Sequence, residues 1–345
     1  MRGIRITLDC YIKGVVSGMP ESNEKADSGK GEIALKRYIS EVVRALFGPR
    51  HTWGYQKNAV QESQNISARL TDAFTWVSDD AAQCDEQPVF LFSAGWRSGS
   101  TLLQRMIMQN NSKIVIWGEP YNLCNIFDGL ANQFRAFTPT WPKEIHFLSK
   151  IDRSCLSNQW VANLYPDVDD LLIAHREFLN TLFAQPARRF GGENWGIKVV
   201  RLNIDHATYL KRLYPKGKFI FLCRDPFASY ASFRKIYDGW FAQWPDRVVA
   251  TPYSYGRHWA TLTQGFLRGH KSLDGLFIRY EDLDDERQCD RLGDYLGWRV
   301  SCASSMARIV GGLGGDAGDR KPRMTAIERA LLRVSVRDVR RFAGY

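Results

Sequence analysis

The sequence predicts an α/β protein with a parallel central sheet flanked by helices. Three observations carry that reading. Short apolar runs, each bounded by glycine, proline or polar residues, recur from Val89 onward and read as buried strands. Segments with apolar residues at helical spacing separate them. The first run leads into a loop of small residues that opens a helix, an arrangement that brings free backbone amides up to a phosphate.

Residues 1–87 carry no readable motif. Ile33, Leu35, Tyr38, Ile39, Val42, Val43, Leu46 and Phe47 recur at helical spacing, and Gly48-Pro49 would end that helix. The polar run 21–32 reads as a flexible linker or a surface loop, and Asn65 to Val77 as a further helix. We expect residues 1–87 to form an N-terminal helical extension or cap, and 88–345 the main domain.

Val89–Phe92 is the first strand, and Ser93–Thr101 is the loop. In the helix that follows, Leu102, Leu103, Met106 and Ile107 form one face, with Gln104, Arg105 and Gln109 on the other. Ile114–Trp117 is the second strand, ended by Gly118-Glu119-Pro120. An aromatic-rich insertion then runs from about 120 to 194, with one clear helix at Val168–Phe183. Insertions beyond the carboxyl ends of such strands line ligand pockets, although most single rings in it are expected to be core.

Trp195–Val200 is the third strand, and Lys198 within it is costly unless its ammonium reaches an anion or the open strand end. A helix over Asp205–Leu213 follows. The fourth strand, Lys218–Cys223, runs into Arg224-Asp225-Pro226 and a helix from Phe227, with Pro226 suited to the first turn. Arg224 at the strand end and Ser232, eight residues on, can grip one phosphate together. Near the C-terminus Arg329, Arg333, Arg337, Arg340 and Arg341 lie mostly along one helical stripe, either a solvated face or a patch for anionic lipid or glycan.

Composition narrows the class. In 345 residues, 44% hydrophobic content with 13% aromatic excludes a disordered chain. The net charge of +10 suits an anionic ligand but is not concentrated as a nucleic-acid surface needs. No apolar run approaches a membrane span, and Asp9 and Lys13 interrupt what would be a signal-peptide core. Seven scattered cysteines, none in a Cys-x-x-Cys pair, fit reduced thiols. A cytoplasmic, bacterial protein without a transmembrane segment is expected. The six histidines form no metal-ligand pattern.

The loop Gly95-Trp96-Arg97-Ser98-Gly99-Ser100-Thr101 is not the usual triphosphate cradle, because no lysine precedes its final hydroxyl. It suits a phosphate with one adjacent charged group rather than a metal-bound triphosphate. Arg97 to Thr101 resembles the 5′-phosphosulfate loop of the sulfotransferases that use 3′-phosphoadenosine 5′-phosphosulfate (PAPS), which reads (Arg/Lys)-Ser-Gly-(Ser/Thr)-Thr after a buried strand. Arg224 and Ser232 resemble, in type and spacing, the pair that holds the 3′-phosphate in that family. Gly275–Leu283 is similar to its last core strand with a Tyr-Glu-Asp-Leu turn, in which Asp282 would cap a helix over Leu283–Leu296.

The resemblance implies a P-loop-like sulfotransferase core, PAPS as co-substrate, 3′,5′-adenosine bisphosphate (PAP) as product, and no metal. It implies that Arg97, Ser98, Gly99, Ser100 and Thr101 bind the phosphosulfate end, and that Arg320 or Lys321, after the glycine-rich 311–318, closes over the 3′-phosphate. Glu119 falls where the carbohydrate and protein-tyrosine branches carry a general base, with capping of the next segment as the plainer role. Lys198 resembles the lysine that assists the leaving group in the protein-tyrosine branch. The expected partner is a carbohydrate or lipid-linked hydroxyl acceptor, with room for peripheral membrane contact. Two departures separate the chain from the cytosolic small-molecule branch: Leu102 stands where that branch has a tryptophan, and no histidine matches its base. An atypical P-loop kinase and a non-catalytic binder of a phosphorylated nucleotide or glycan are the rival readings.

Overall fold

A computed structural model describes residues 68–119, 126–138, 140–234, 249, 251–303 and 324–345. Among them, five parallel strands form one sheet: β1 (Val89–Ser93), β2 (Ile114–Trp117), β3 (Asn194–Val199), β4 (Lys218–Cys223) and β5 (Leu276–Arg279). Their order is β2-β3-β1-β4-β5. The register sets Leu91 opposite Lys198 on one side of β1, and Phe92 opposite Phe221 on the other.

Strand alternation divides the core in two. Phe90, Phe92, Trp195, Ile197, Phe219 and Phe221 point to one face, and Val89, Leu91, Ile114, Ile116, Ile220, Leu222 and Ile278 to the other. On the aromatic face Phe90 meets Trp195 edge-on at 5.9 Å and lies 5.0 Å from Phe219. Each fully buried ring there contributes on the order of 2 kcal/mol. Gly196 in β3 is required by this packing, because a Cβ there would sit 2.3 Å from the Val89 carbonyl oxygen.

Helices cover both faces. The aliphatic face takes α1 (Ser100–Asn110) and α6 (Glu286–Leu296), through Leu103, Met106, Ile107, Leu292 and Leu296. The aromatic face takes α2 (Val168–Leu179), α3 (Ile204–Leu213) and α5 (Pro252–Gly269). Beyond Leu179, α2 continues as a π turn over Asn180–Ala184. The short α4 (Pro226–Phe233) follows β4, and α7 (Ala326–Phe342) packs along α5. Close approach there depends on Gly256, where a Cβ would fall 1.9 Å from Ser335 Oγ.

Right-handed crossovers require α1 on one face and α3 on the other, because the chain leaves β1 toward β2 but leaves β3 and β4 in the opposite direction. The loops after β1 and β4 therefore diverge at a topological switch point, where open α/β sheets bind ligands.

One expectation fails locally. Asp282 does not cap the helix after β5: it sits in a 3-10 turn, Tyr280–Asp282, where both its oxygens pair with Arg279 at 2.8 and 2.7 Å. Asp285 caps α6 instead, accepting the Arg287 amide at 2.9 Å. In the insertion, Phe127, Phe134, Phe137 and Phe147 are core, while Trp160 is exposed.

Candidate functional site

The loop after β1 is held from several sides. The Ala94 amide donates to the Leu222 carbonyl at 2.9 Å, continuing the β1–β4 pairing, and the Ser98 hydroxyl donates to the Gly95 carbonyl at 2.9 Å. The Tyr255 and Ser229 hydroxyls both donate to the Trp96 carbonyl, at 2.8 and 3.1 Å. Three residues take left-handed backbone: Gly95 (φ +84°), Arg97 (φ +62°) and Gly99 (φ +91°). For Arg97 that conformation costs about 1–2 kcal/mol, strain of the kind that gathers at functional loops. Gly99 is needed twice over, because a Cβ there would also lie 2.0 Å from the Tyr280 ring.

Arg97 and Arg224 come together at the switch point. Arg224 donates from Nη1 to the Arg97 carbonyl at 3.1 Å and lies 4.1 Å over the Tyr280 ring. Arg97 Nε donates to Ser232 Oγ at 3.0 Å. Burial, and then the neighbouring Arg224, push the Arg97 guanidinium below its ordinary pKa. Neither arginine has a carboxylate within ion-pair reach among the described residues, and Arg224 Nε is buried with no hydrogen-bond partner. Two crowded guanidiniums, an orphaned donor and a serine hydroxyl are what an anionic group fits.

A second cluster sits at the carboxyl edge of β2 and β3. Lys198, buried on the aliphatic face, donates to Glu119 Oε1 at 2.8 Å, and Arg201 donates to Glu119 Oε2 at 3.0 Å. Arg201 also lies 5.0 Å over the Trp96 ring, so the acid's second partner touches the loop that carries Arg97. Burial pushes the Arg201 guanidinium down to about 10, against the opposing pull of Glu119.

The sequence-level residues thus gather into two linked groups, Arg97–Ser232–Arg224 and Glu119–Lys198–Arg201. The Ser98 hydroxyl is committed inside the loop. Ser100 is buried and Thr101 exposed in the first turn of α1, whose N-cap, Gly99, offers no side-chain cap. Arg320 and Lys321 lie outside the described residues. Arg201 is the residue the sequence reading missed; its signal was a second cation three residues after Lys198, just past a strand end. No grouping of three or more metal-ligating side chains occurs among the described residues, and none of their helices is long and apolar enough to cross a membrane.

Among curated proteins none matches the chain. Two solved structures overlap it distantly. One is the sulfotransferase domain of the Synechococcus PCC 7002 olefin synthase, at 18% identity and TM-score 0.39, covering 76% of this chain and 98% of that one. The other belongs to the PezAT chromosomal toxin–antitoxin system of Streptococcus pneumoniae, at 12% identity and TM-score 0.28, covering 83% and 98%. Overlaps this loose carry no argument. A family model is different in kind: that of the sulfotransferase family matches residues 88–301, which span all five strands and both clusters. On that match, over more than half its length, the chain belongs to the sulfotransferase family.

Proposed function

We propose that the protein transfers a sulfuryl group from PAPS to a hydroxyl of a carbohydrate or glycolipid acceptor, and that it stands closer to the carbohydrate and protein-tyrosine branch than to the small-molecule one. The observation that carries this reading is the Glu119–Lys198 pair at 2.8 Å, an acid and a cation joined beside the anion-binding loop. Residues 1–87 are read as a helical extension or cap, and the insertion at about 120–194 as the acceptor site, with exposed Trp160, Leu156 and Val161 available to it.

Bound PAPS would supply the activated sulfuryl group. Arg97 and the amides of Ser98 to Thr101 bind the phosphosulfate end, and Arg224 with Ser232 holds the 3′-phosphate. Glu119 takes the proton of the acceptor hydroxyl as the new S–O bond forms, while the bond to the bridging phosphate oxygen breaks and PAP leaves. Lys198 has three donor hydrogens, so it can keep Glu119 aimed while another hydrogen meets charge on the departing oxygen. Arg201 fixes the other carboxylate oxygen. Sulfuryl carries less charge than phosphoryl, so this chemistry does not require a divalent metal. The setting proposed is a bacterial cytoplasm, and the free thiols among the described residues accord with its reducing conditions.

The test is PAP release from PAPS in the presence of pooled glycan and lipid acceptors. PAP release that depends on an acceptor supports the reading. Phosphoryl transfer from Mg-ATP in its place would make the protein a kinase, and binding of PAPS without turnover on any acceptor would make it a binder.

A further inference from the structure

Two acids flank Arg224: Asp225 follows it in the chain, and Glu281 follows Tyr280, the residue on whose ring Arg224 lies. Either carboxylate, swung onto the guanidinium, would neutralise it and compete with an incoming anion. Both are occupied elsewhere. Asp225 Oδ1 accepts the amides of Phe227 and Ala228 at 3.0 Å each, and its Oδ2 accepts Arg340 Nε and Nη2 at 3.2 and 3.1 Å. Glu281 Oε1 accepts the Asp225 amide at 3.0 Å, and its Oε2 accepts the Tyr345 hydroxyl at 2.6 Å.

We propose that Arg340 and Tyr345 are positioning residues for Arg224: they occupy the two neighbouring acids, and so leave its guanidinium free to take a phosphate. The proposal rests on the reading of Arg224 as the holder of the 3′-phosphate.

Four features make this a built arrangement. The segment carrying both residues is fixed, because Arg279 donates to the Gly344 carbonyl at 2.8 Å and the Gly256–Ser335 contact seats α7 tightly on α5. Arg340 packs over the Phe227 ring at 5.2 Å, within the helix that Asp225 caps. Burial holds the Tyr345 phenol protonated well above its usual range, so it remains a donor to Glu281. The Arg224 carbonyl is pinned as well, by Trp259 Nε1 at 3.0 Å, so the turn offers the guanidinium alone.

The test compares dissociation constants for PAP and for adenosine 5′-monophosphate, which lacks the 3′-phosphate, by calorimetry on the full chain. Tyr345→Phe and Arg340→Met are each expected to weaken PAP about tenfold, the scale of one charge-assisted contact, and to leave the monophosphate within about twofold. Tyr345→Phe changes no charge, so a loss there reflects a freed Glu281 and not a weaker field. The ratio is taken within each variant, so partial unfolding cancels. Arg224→Ala is the control and should abolish the preference for PAP. If the control abolishes it and both other variants keep the wild-type ratio, the positioning role is wrong and the 3′-phosphate reading stands. If Arg224→Ala itself keeps the ratio, both fall.

Discussion

Arg97 Nε donates to the Ser232 hydroxyl at 3.0 Å, which ties the loop after β1 to the helix after β4 across the switch point. The residues proposed for opposite ends of one ligand are thus in direct contact. Ser232→Ala removes both this tether and the hydroxyl proposed to hold the 3′-phosphate. PAP affinity should fall by about 1–2 kcal/mol while the melting temperature of the free protein barely moves. Calorimetry and a thermal melt separate the two; a lower melting temperature with unchanged affinity would assign the bond to the fold.

The crowding of Arg97 and Arg224 predicts strong stabilisation by a doubly phosphorylated nucleotide. PAP without magnesium should raise stability by about 2.7 kcal/mol at a hundredfold excess over Kd. Mg-ATP should do much less in the same melt. Equal stabilisation by the two would favour a kinase.

Glu119 holds two cations, so its substitutions should diverge. Glu119→Gln keeps an acceptor for one of them and should fold, yet turnover should fall by about 10²–10⁴ with PAP affinity held within a few-fold. Glu119→Ala leaves Lys198 and Arg201 facing each other and should cost about 2–3 kcal/mol of stability as well. Near-normal turnover of the glutamine variant on a true acceptor would remove Glu119 as base. Among the described histidines, His258 then lies against the loop, stacked 5.1 Å from Trp96.

Gly99→Ala tests the loop itself. The backbone penalty and the Tyr280 ring together should cost about 3 kcal/mol or force the ring aside. Because Arg224 rests on that ring, PAP binding should weaken too. A variant with wild-type melting temperature and affinity would show that the loop does not need its glycine.

His175 is buried between the Tyr209 hydroxyl at 2.9 Å and Gln133 Oε1 at 3.2 Å, and burial pushes its pKa down to about 4. A base whose folded pKa lies below its unfolded value stabilises the fold above about pH 6.5, and that contribution is lost as pH falls toward 4. Stability measured from pH 7 to 4 should therefore decline by about 2 kcal/mol from this group. His175→Gln should flatten the decline; an unchanged slope would assign it to other groups.

Much of this was legible in the chain because its signals are local. A strand, a loop and the cap of its helix fall within a dozen residues, and so do Arg224 and Ser232. Lys198 was flagged by the cost of an ammonium on an apolar run, but its partner lies 79 residues away, and sequence spacing carries no trace of that pairing. Arg201 stayed hidden for the same reason, since its partners Glu119 and Trp96 come from other strand ends. The cap was misassigned because Asp282 and Asp285 both suit the role, and only the third dimension shows that Arg279 claims the first.

The register of β1 on β4, Phe92 opposite Phe221, has a consequence for selectivity. Backbone ladder bonds fix how far Arg97 stands from Arg224, and a slip of one residue would move them apart by about 3.3 Å. The sheet thus acts as a gauge of molecular span. If Arg97 and Arg224 take the two ends of one ligand as proposed, a nucleotide with anionic groups at both ends gains the second contact at high effective concentration, whereas adenosine 5′-monophosphate mixed with free phosphate must bind as two separate bodies. Length, more than the chemistry of either phosphate, is what such a gauge reads.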